Sequence, residues 1–175
     1  MRVNRAVQLR AGRRDDAVAI QRLYETVAAA SGGIARAAAE VTRDYVDEFV
    51  AHSLERGFLI VAERSGMTGL AGELHAYRSD LRNFAHVLGD LTVAVHPDAQ
   101  GQGIGRMLFT RLLDDVRSNH LDILRVELIT QESNVRALQL YESLGFVREG
   151  RLEGRIRNAA GDVEADIPMA WHRSA

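Results

Sequence analysis

The chain has 175 residues, 46% of them hydrophobic and 26% charged, with 15 glycines, 2 prolines and no cysteine. This excludes disulfides, thiolate metal ligands, iron–sulfur clusters and a cysteine nucleophile, and it is too apolar for a disordered chain. Its 22 basic residues are all arginine and face 24 acidic ones, giving a net charge of −2; that balance argues against nucleic acid as the main partner, and the lack of lysine excludes a Schiff base and a Walker-type phosphate loop.

The start, MRVNRAVQLRAG, carries positive charge without an apolar run of signal-peptide length. No run approaches the roughly 18 apolar residues that span a bilayer. The expectation is a cytoplasmic protein without a membrane partner. Its length suits a single domain over residues 1–175.

Ala6 to Arg10 alternates and predicts a first strand. Asp15 and Asp16 then favour a helix start, with Ala17, Ile20, Tyr24 and Val27 on one face, and Ser31-Gly32-Gly33 breaks that helix. A second helix is expected from Val41 to Glu55, with Tyr45, Phe49 and His52 about a turn apart and Gly57 at its end. Phe58–Glu63 and Gly69–Tyr77 read as a hairpin across Arg64–Thr68, and Arg78–His86 as a loop. Leu88–His96 is a strand closed by Pro97, placing Leu91, Val93 and Val95 on one face and Asp90, Thr92, Ala94 and His96 on the other. The strongest helix runs from Gly103 to Asn119, with Ile104, Met107, Leu108, Leu112 and Val116 on its buried side. Ile123–Thr130 is a strand, and Asn134–Leu144 a helix stopped by Gly145, with Val135, Leu138, Tyr141 and Leu144 as its buried stripe. Phe146–Ile156 and Val163–Trp171 form a closing hairpin across Asn158–Asp162. The fold class expected is α+β. A mixed, mostly antiparallel sheet of about seven strands is flanked by helices, with one parallel strand–helix–strand crossover.

The most informative segment is Gln100-Gly101-Gln102-Gly103-Ile104-Gly105-Arg106, between a strand and a helix. Alternate glycines let a ligand approach the backbone, and the free N–H groups of a helix start suit an anion such as pyrophosphate. A tight structural turn without a ligand is the other reading. A dinucleotide fingerprint fits poorly: counting from Gly101 and Gly103 puts Arg106 at the third glycine, and Asp122 precedes its strand where the ribose carboxylate should follow one.

The stretch Leu91 to Gly105, LTVAVHPDAQGQGIG, resembles the central motif of the GNAT superfamily of acyl-CoA-dependent N-acetyltransferases. Gln100, Gly103 and Gly105 match its Gln/Arg-x-x-Gly-x-Gly/Ala pattern. A second stretch, Asn134-Val-Arg-Ala137-Leu-Gln-Leu-Tyr141-Glu-Ser-Leu-Gly145-Phe146, is similar to the helix and turn that follow in that family. The Arg151–Met169 hairpin most resembles bacterial small-molecule acetyltransferases acting on amino acids or their analogues.

The resemblance implies acetyl-CoA as cosubstrate, seated where the two parallel strands Asp90–His96 and Ile123–Thr130 splay apart. Main-chain groups of Val93, Ala94 and Val95 are implicated in pairing with the pantetheine arm, as an added strand would. Amides from Gly101 through Gln102, Gly103, Ile104 and Gly105 to Arg106 would take the pyrophosphate. Asn134 matches a residue that bonds pantetheine or caps its helix, and Tyr141 one that donates to the departing thiolate. A packing role for Tyr141 stands beside that. Asp90 is the closest match to a carboxylate base; Glu127, Glu73, His75 and His86 are rivals. No metal is expected, since His52, His75, His86, His96, His120 and His172 show no ligand spacing.

The function this implies is acetyl transfer from acetyl-CoA to a primary amine of a small molecule. A protein amino terminus, lysine or polyamine as acceptor, or a non-catalytic acyl-CoA sensor, are the alternatives. The resemblance also suggests a homodimer.

Overall fold

The computed structural model describes residues 6–30, 34–158 and 160–173. The expected breaker at Ser31-Gly32-Gly33, and Ala159 of the last turn, lie outside them. The strands are β1 (Val7–Ala11), β2 (Gly57–Arg64), β3 (Gly72–Arg78), β4 (Val87–Val95), β5 (Arg125–Gln131), β6 (Val147–Arg148), β7 (Leu152–Arg157) and β8 (Val163–His172). The helices are α1 (Ala17–Ala29), α2 (Arg43–Arg56), α3 (Ile104–Asn119) and α4 (Val135–Ser143). The mixed sheet has eight strands, one more than expected, in the order β1-β2-β3-β4-β5-β8-β6, with β7 also pairing β8. One pair, β4–β5, is parallel, through Val87↔Arg125 and Leu88↔Val126. The other registered pairs are antiparallel.

The chain divides into two compact units. The first spans Met1–Tyr77 and Thr92–Leu112. Its core is built as the sequence predicts: Ala17, Ile20, Tyr24 and Val27 are all buried, against Val46, Phe49 and Val50 of α2 and Leu59 and Val61 of β2. Asp16 does not cap α1 through its side chain; it binds Arg10 through two hydrogen bonds of 2.8 Å and accepts from Arg13 N–H. Beneath the start of α3, β3 packs tightly at Gly72, where a Cβ would lie 3.0–3.2 Å from Ile104, Leu108 and the Ala94 carbonyl.

The second unit spans Arg78–Leu91 and Leu113–Ala175. β8 is its hub, pairing with β5, β6 and β7. The single strand expected over Phe146–Ile156 is two strands. Glu149, Gly150 and Arg151 lie between the pairs Arg148↔Met169 and Leu152↔Asp166. Pro168 of β8 stands there without an N–H to donate to a ladder.

Other departures follow the same logic of local geometry. Met107 is 38% exposed, because the buried stripe of α3 runs Ile104, Leu108, Leu112 and Val116, joined by Phe109 and Leu113. Val135 is 56% exposed at the first position of α4, and Leu144 is half-buried beyond its end, leaving Leu138 and Tyr141 as the buried pair. In β4 the two-face alternation breaks: Leu88 and Ala94 are buried, yet Asp90, on their parity, is exposed.

Candidate active site

In the first unit, β4 ends at Val95 and His96 turns the chain into a 3₁₀ turn over Pro97–Ala99, its Nδ1 accepting from Asp98 N–H at 3.2 Å. Gln100 Nε2 donates back to the Val95 carbonyl at 3.3 Å. Gly101 and Gly103 then take φ of +76° and +80°, left-handed values that side chains rarely adopt. A Cβ at either would meet nothing within 4 Å. Conformation, not crowding, requires glycine here, and the main chain is open to approach. The first hydrogen bond of α3 runs from Met107 N–H to the Gly103 carbonyl. The amides of Ile104 and Gly105 precede it at the helix start, the arrangement that receives an anion. Gln100, Gly101, Gln102, Gly103 and Arg106 are exposed; Gly105, Val93 and Val95 are half-buried; Ile104 and Ala94 are buried.

A cavity of about 470 Å³ in the same unit has Gln8, Arg10, Asp16, Glu63 and Arg64 among its walls. None of Val93–Val95 or Gln100–Arg106 lines it.

In the second unit, Asn134 caps α4, its Oδ1 accepting from Ala137 N–H at 3.2 Å. Tyr141 sits seven residues on, 7% exposed, its ring centroid 6.0 Å from that of Phe146. The helix end explains how these residues act together. Phe146 N–H reaches the Tyr141 carbonyl and Gly145 N–H the Glu142 carbonyl, each at 3.0 Å, with Gly145 at φ +94°. This is a Schellman motif, whose usual apolar contact joins the residues corresponding to Tyr141 and Phe146. The glycine and phenylalanine of the motif thus fix the tyrosine's place. Burial pushes the Tyr141 phenol up to about 12.

The base candidates stand in different settings. Asp90 is exposed, with φ of +45°, the only positive value outside glycine among the described residues. Gly89 before it faces Glu127, whose Oε1 would lie 3.5 Å from a Cβ. Glu127 accepts from Arg125 Nε at 2.7 Å. Arg125 also forks onto Glu149, which with help from His172 sits at about 2, well below the usual carboxylate range. His86 is exposed. Glu73 and His75, in the first unit, are 0% and 3% exposed. Tyr24 donates to Glu73 at 2.7 Å, His75 Nδ1 lies 3.1 Å from Glu73, and Phe49 stacks on His75 at 3.9 Å. That pair is core. Among the described residues no group of three His, Asp or Glu is placed to hold a metal, and no helix is long and apolar enough to cross a membrane.

Two features escaped the sequence reading. One is the left-handed backbone at Asp90; a glycine inside a strand pattern, Gly89, is the signal that marks such irregularities. The other is Arg64, expected only as the first residue of a hairpin turn. Its guanidinium reaches Asp98 and Gln102.

A model of the acetyltransferase (GNAT) family matches residues 20–146. The L-amino acid N-acyltransferase MnaT of Escherichia coli is 29% identical over 143 residues, covering 81% of this chain and 80% of that protein. Among solved structures, a GNAT-family acetyltransferase from Streptococcus pneumoniae superposes with a TM-score of 0.85 at 17% identity, covering 96% of this chain and all of that one. The structure of yncA from Salmonella typhimurium, solved with its cofactor acetyl-CoA, gives 0.81 at 21% identity, covering 97% of each chain.

Proposed function

The chain belongs to the acetyltransferase (GNAT) family and is an acyl-CoA-dependent N-acetyltransferase, and on that premise we propose that it acetylates the primary amine of a small molecule, an amino acid or an analogue of one. The observation that carries the reading is the turn leading into α3, where Gly101 and Gly103 take left-handed φ and a Cβ at either would meet nothing within 4 Å. Likeness to an L-amino acid N-acyltransferase supports the acceptor class.

Bound acetyl-CoA supplies the thioester that the amine attacks. In this reading the amides from Gly101 to Arg106 hold the pyrophosphate, Arg106 adds charge, and main-chain groups of Val93, Ala94 and Val95 pair with the pantetheine arm. Gln100 braces that strand end through the Val95 carbonyl. Asn134 has one end of its amide committed to the cap and offers the other to the arm.

Asp90 takes the amine's proton, directly or through water. An amine of pKa near 10 is almost wholly protonated at pH 7, and freeing it costs about 4 kcal/mol. Exposure keeps Asp90 accessible to that proton, whereas Glu127 is committed to Arg125 and the Glu73–His75 pair is buried. Tyr141 donates to the sulfur. Its phenol, near 12, stays protonated at working pH. Complete transfer to a free thiolate of pKa about 8.5 would run uphill by about 5 kcal/mol, so its contribution is a hydrogen bond that strengthens as charge develops on the sulfur.

The reading extends to a cytoplasmic setting, a single catalytic domain and a homodimer, the last checked by sedimentation. The central test measures release of free coenzyme A thiol from acetyl-CoA with amino acids, aminoglycosides, polyamines and peptide amino termini. Turnover with amino acids or their analogues is the expected result. Turnover confined to polyamines or peptides moves the acceptor class, and binding without turnover makes the protein a sensor.

A further inference from the structure

Arg64, the last residue of β2, lies outside both motifs, yet its Nη1 donates to the Asp98 carbonyl at 2.8 Å and to Gln102 Oε1 at 3.3 Å. Gln102 Nε2 donates to the same Asp98 carbonyl at 3.1 Å. The three groups close a small ring around the entry to the glycine turn. We propose that Arg64 is a positioning residue for the pyrophosphate-binding turn, holding Asp98–Gly103 in the shape that receives the phosphates; this rests on the acetyl-CoA reading above.

The turn needs such a hold. Two glycines at positive φ with nothing within 4 Å of either Cβ position have much conformational freedom to lose on binding. The bonds from Gln100 and Gln102 arise inside the β4–α3 connection and move with it. Arg64 reaches in from another strand, 34 residues earlier than Asp98. A charged donor to a main-chain carbonyl is among the stronger hydrogen bonds, and this one anchors the turn to the β2 end of the sheet. Pre-organising a loop lowers the entropy lost when its ligand binds.

The test uses Arg64→Met, which keeps the apolar stem and removes the donors, with acetyl-CoA and with S-acetylpantetheine, a thioester donor lacking the pyrophosphate. Calorimetry and steady-state rates should show the acetyl-CoA Kd and KM rising about tenfold, the loss expected for one charged hydrogen bond. The kcat at saturation should stay within about twofold and kcat/KM for S-acetylpantetheine unchanged, since a loop defect acts only on a donor that uses the loop. Arg64→Lys, which keeps one donor, should fall between the two and serves if the methionine variant does not fold. Equal losses with both donors overturn the inference in favour of a general structural role. An unchanged acetyl-CoA Kd in both variants, with wild type binding normally, overturns it alone. A wild-type protein that binds no acetyl-CoA overturns the functional reading and this inference together.

Discussion

The glycine turn and the end of α4 carry the two motifs, and they are built from opposite materials. In the proposed function the groups that meet the ligand between Gly101 and Arg106 are main-chain amides, with Arg106 adding charge and other side chains shaping or bracing the turn. At Tyr141 the proposed working group is one hydroxyl, and the main chain positions its ring: a Schellman turn at Gly145 and the ring of Phe146 flank it. One region needs side chains removed; the other needs one side chain held still. Substitutions should therefore fail differently in the two places, by affinity in the first and by turnover in the second.

The largest effect should come from Tyr141→Phe, which keeps the ring and its packing. A hydroxyl acting in the transition state predicts a fall in kcat of about 10²-fold or more with acetyl-CoA Kd little changed. A kcat within about threefold of wild type returns Tyr141 to packing and breaks the contrast. The pH dependence adds a check on stability. Burial holds the folded phenol up to about 12, against about 10 unfolded. Its contribution is intact below pH 10 and is lost as pH rises through 12, so wild type should lose Tm relative to the variant across that window alone.

Next in size is Gly103→Val. A β-branched residue at φ +80° is strained, costing about 1–2 kcal/mol of stability. Its side chain also intrudes on the amides. Acetyl-CoA Kd should rise by about tenfold or more while kcat at saturation changes little. An unaltered Kd in a titration removes the phosphate turn.

Asp90 sharpens the comparison, because there one residue supplies both a strained backbone and a side chain. Asp90→Asn tolerates positive φ and removes only the charge. Its rate should drop most near neutral pH and recover partly at high pH, where the amine deprotonates unaided. Asp90→Gly relieves the φ of +45° and should raise stability by about 1 kcal/mol while losing the same activity. A parallel pH–rate profile for Asp90→Asn hands the base role to Glu127, His86 or water.

The smallest effect is expected at Asn134→Ala. Loss of the cap should cost about 1 kcal/mol, read in denaturant midpoints. If acetyl-CoA affinity falls as well, Asn134 serves the arm in addition to the helix; if it does not, the cap is its whole role.

Where the sequence was legible, spacing alone decided the outcome. Ala17, Ile20, Tyr24 and Val27 repeat at helical intervals and are all buried, and Pro97 closes β4 where a residue without N–H must. Spacing is blind to ends and partners. Val135 keeps the period of α4 but sits on its first turn, where nothing covers it, and Met107 falls at the edge of a stripe set by Leu108 and Leu112. The break between β6 and β7 falls opposite Pro168, a residue of the neighbouring strand. The site divides in the same way. Glycines and a tyrosine at fixed intervals form motifs that spacing can find, whereas the reach of Arg64 across 34 residues and the burial of Glu73 with Tyr24 and His75 are set by partners that spacing does not reveal.

Arg173, two residues past Trp171, bears on how the chain reaches this state. Its Nη2 donates to the carbonyls of Val116 and His120 at 2.6 and 3.0 Å, and its Nε to that of Ile123 at 3.0 Å. The Val116 carbonyl also accepts from His120 N–H at 3.3 Å and the His120 carbonyl from Ile123 N–H at 3.0 Å, so the guanidinium adds a second donor at the close of α3. β8, just before it, is the shared neighbour of β5, β6 and β7. During synthesis, α3 therefore emerges more than 50 residues before the side chain that finishes it, and β5 more than 30 before its antiparallel partner. Pairings of such sequence separation form slowly. The second unit gains its hub strand only once β8 has left the ribosome.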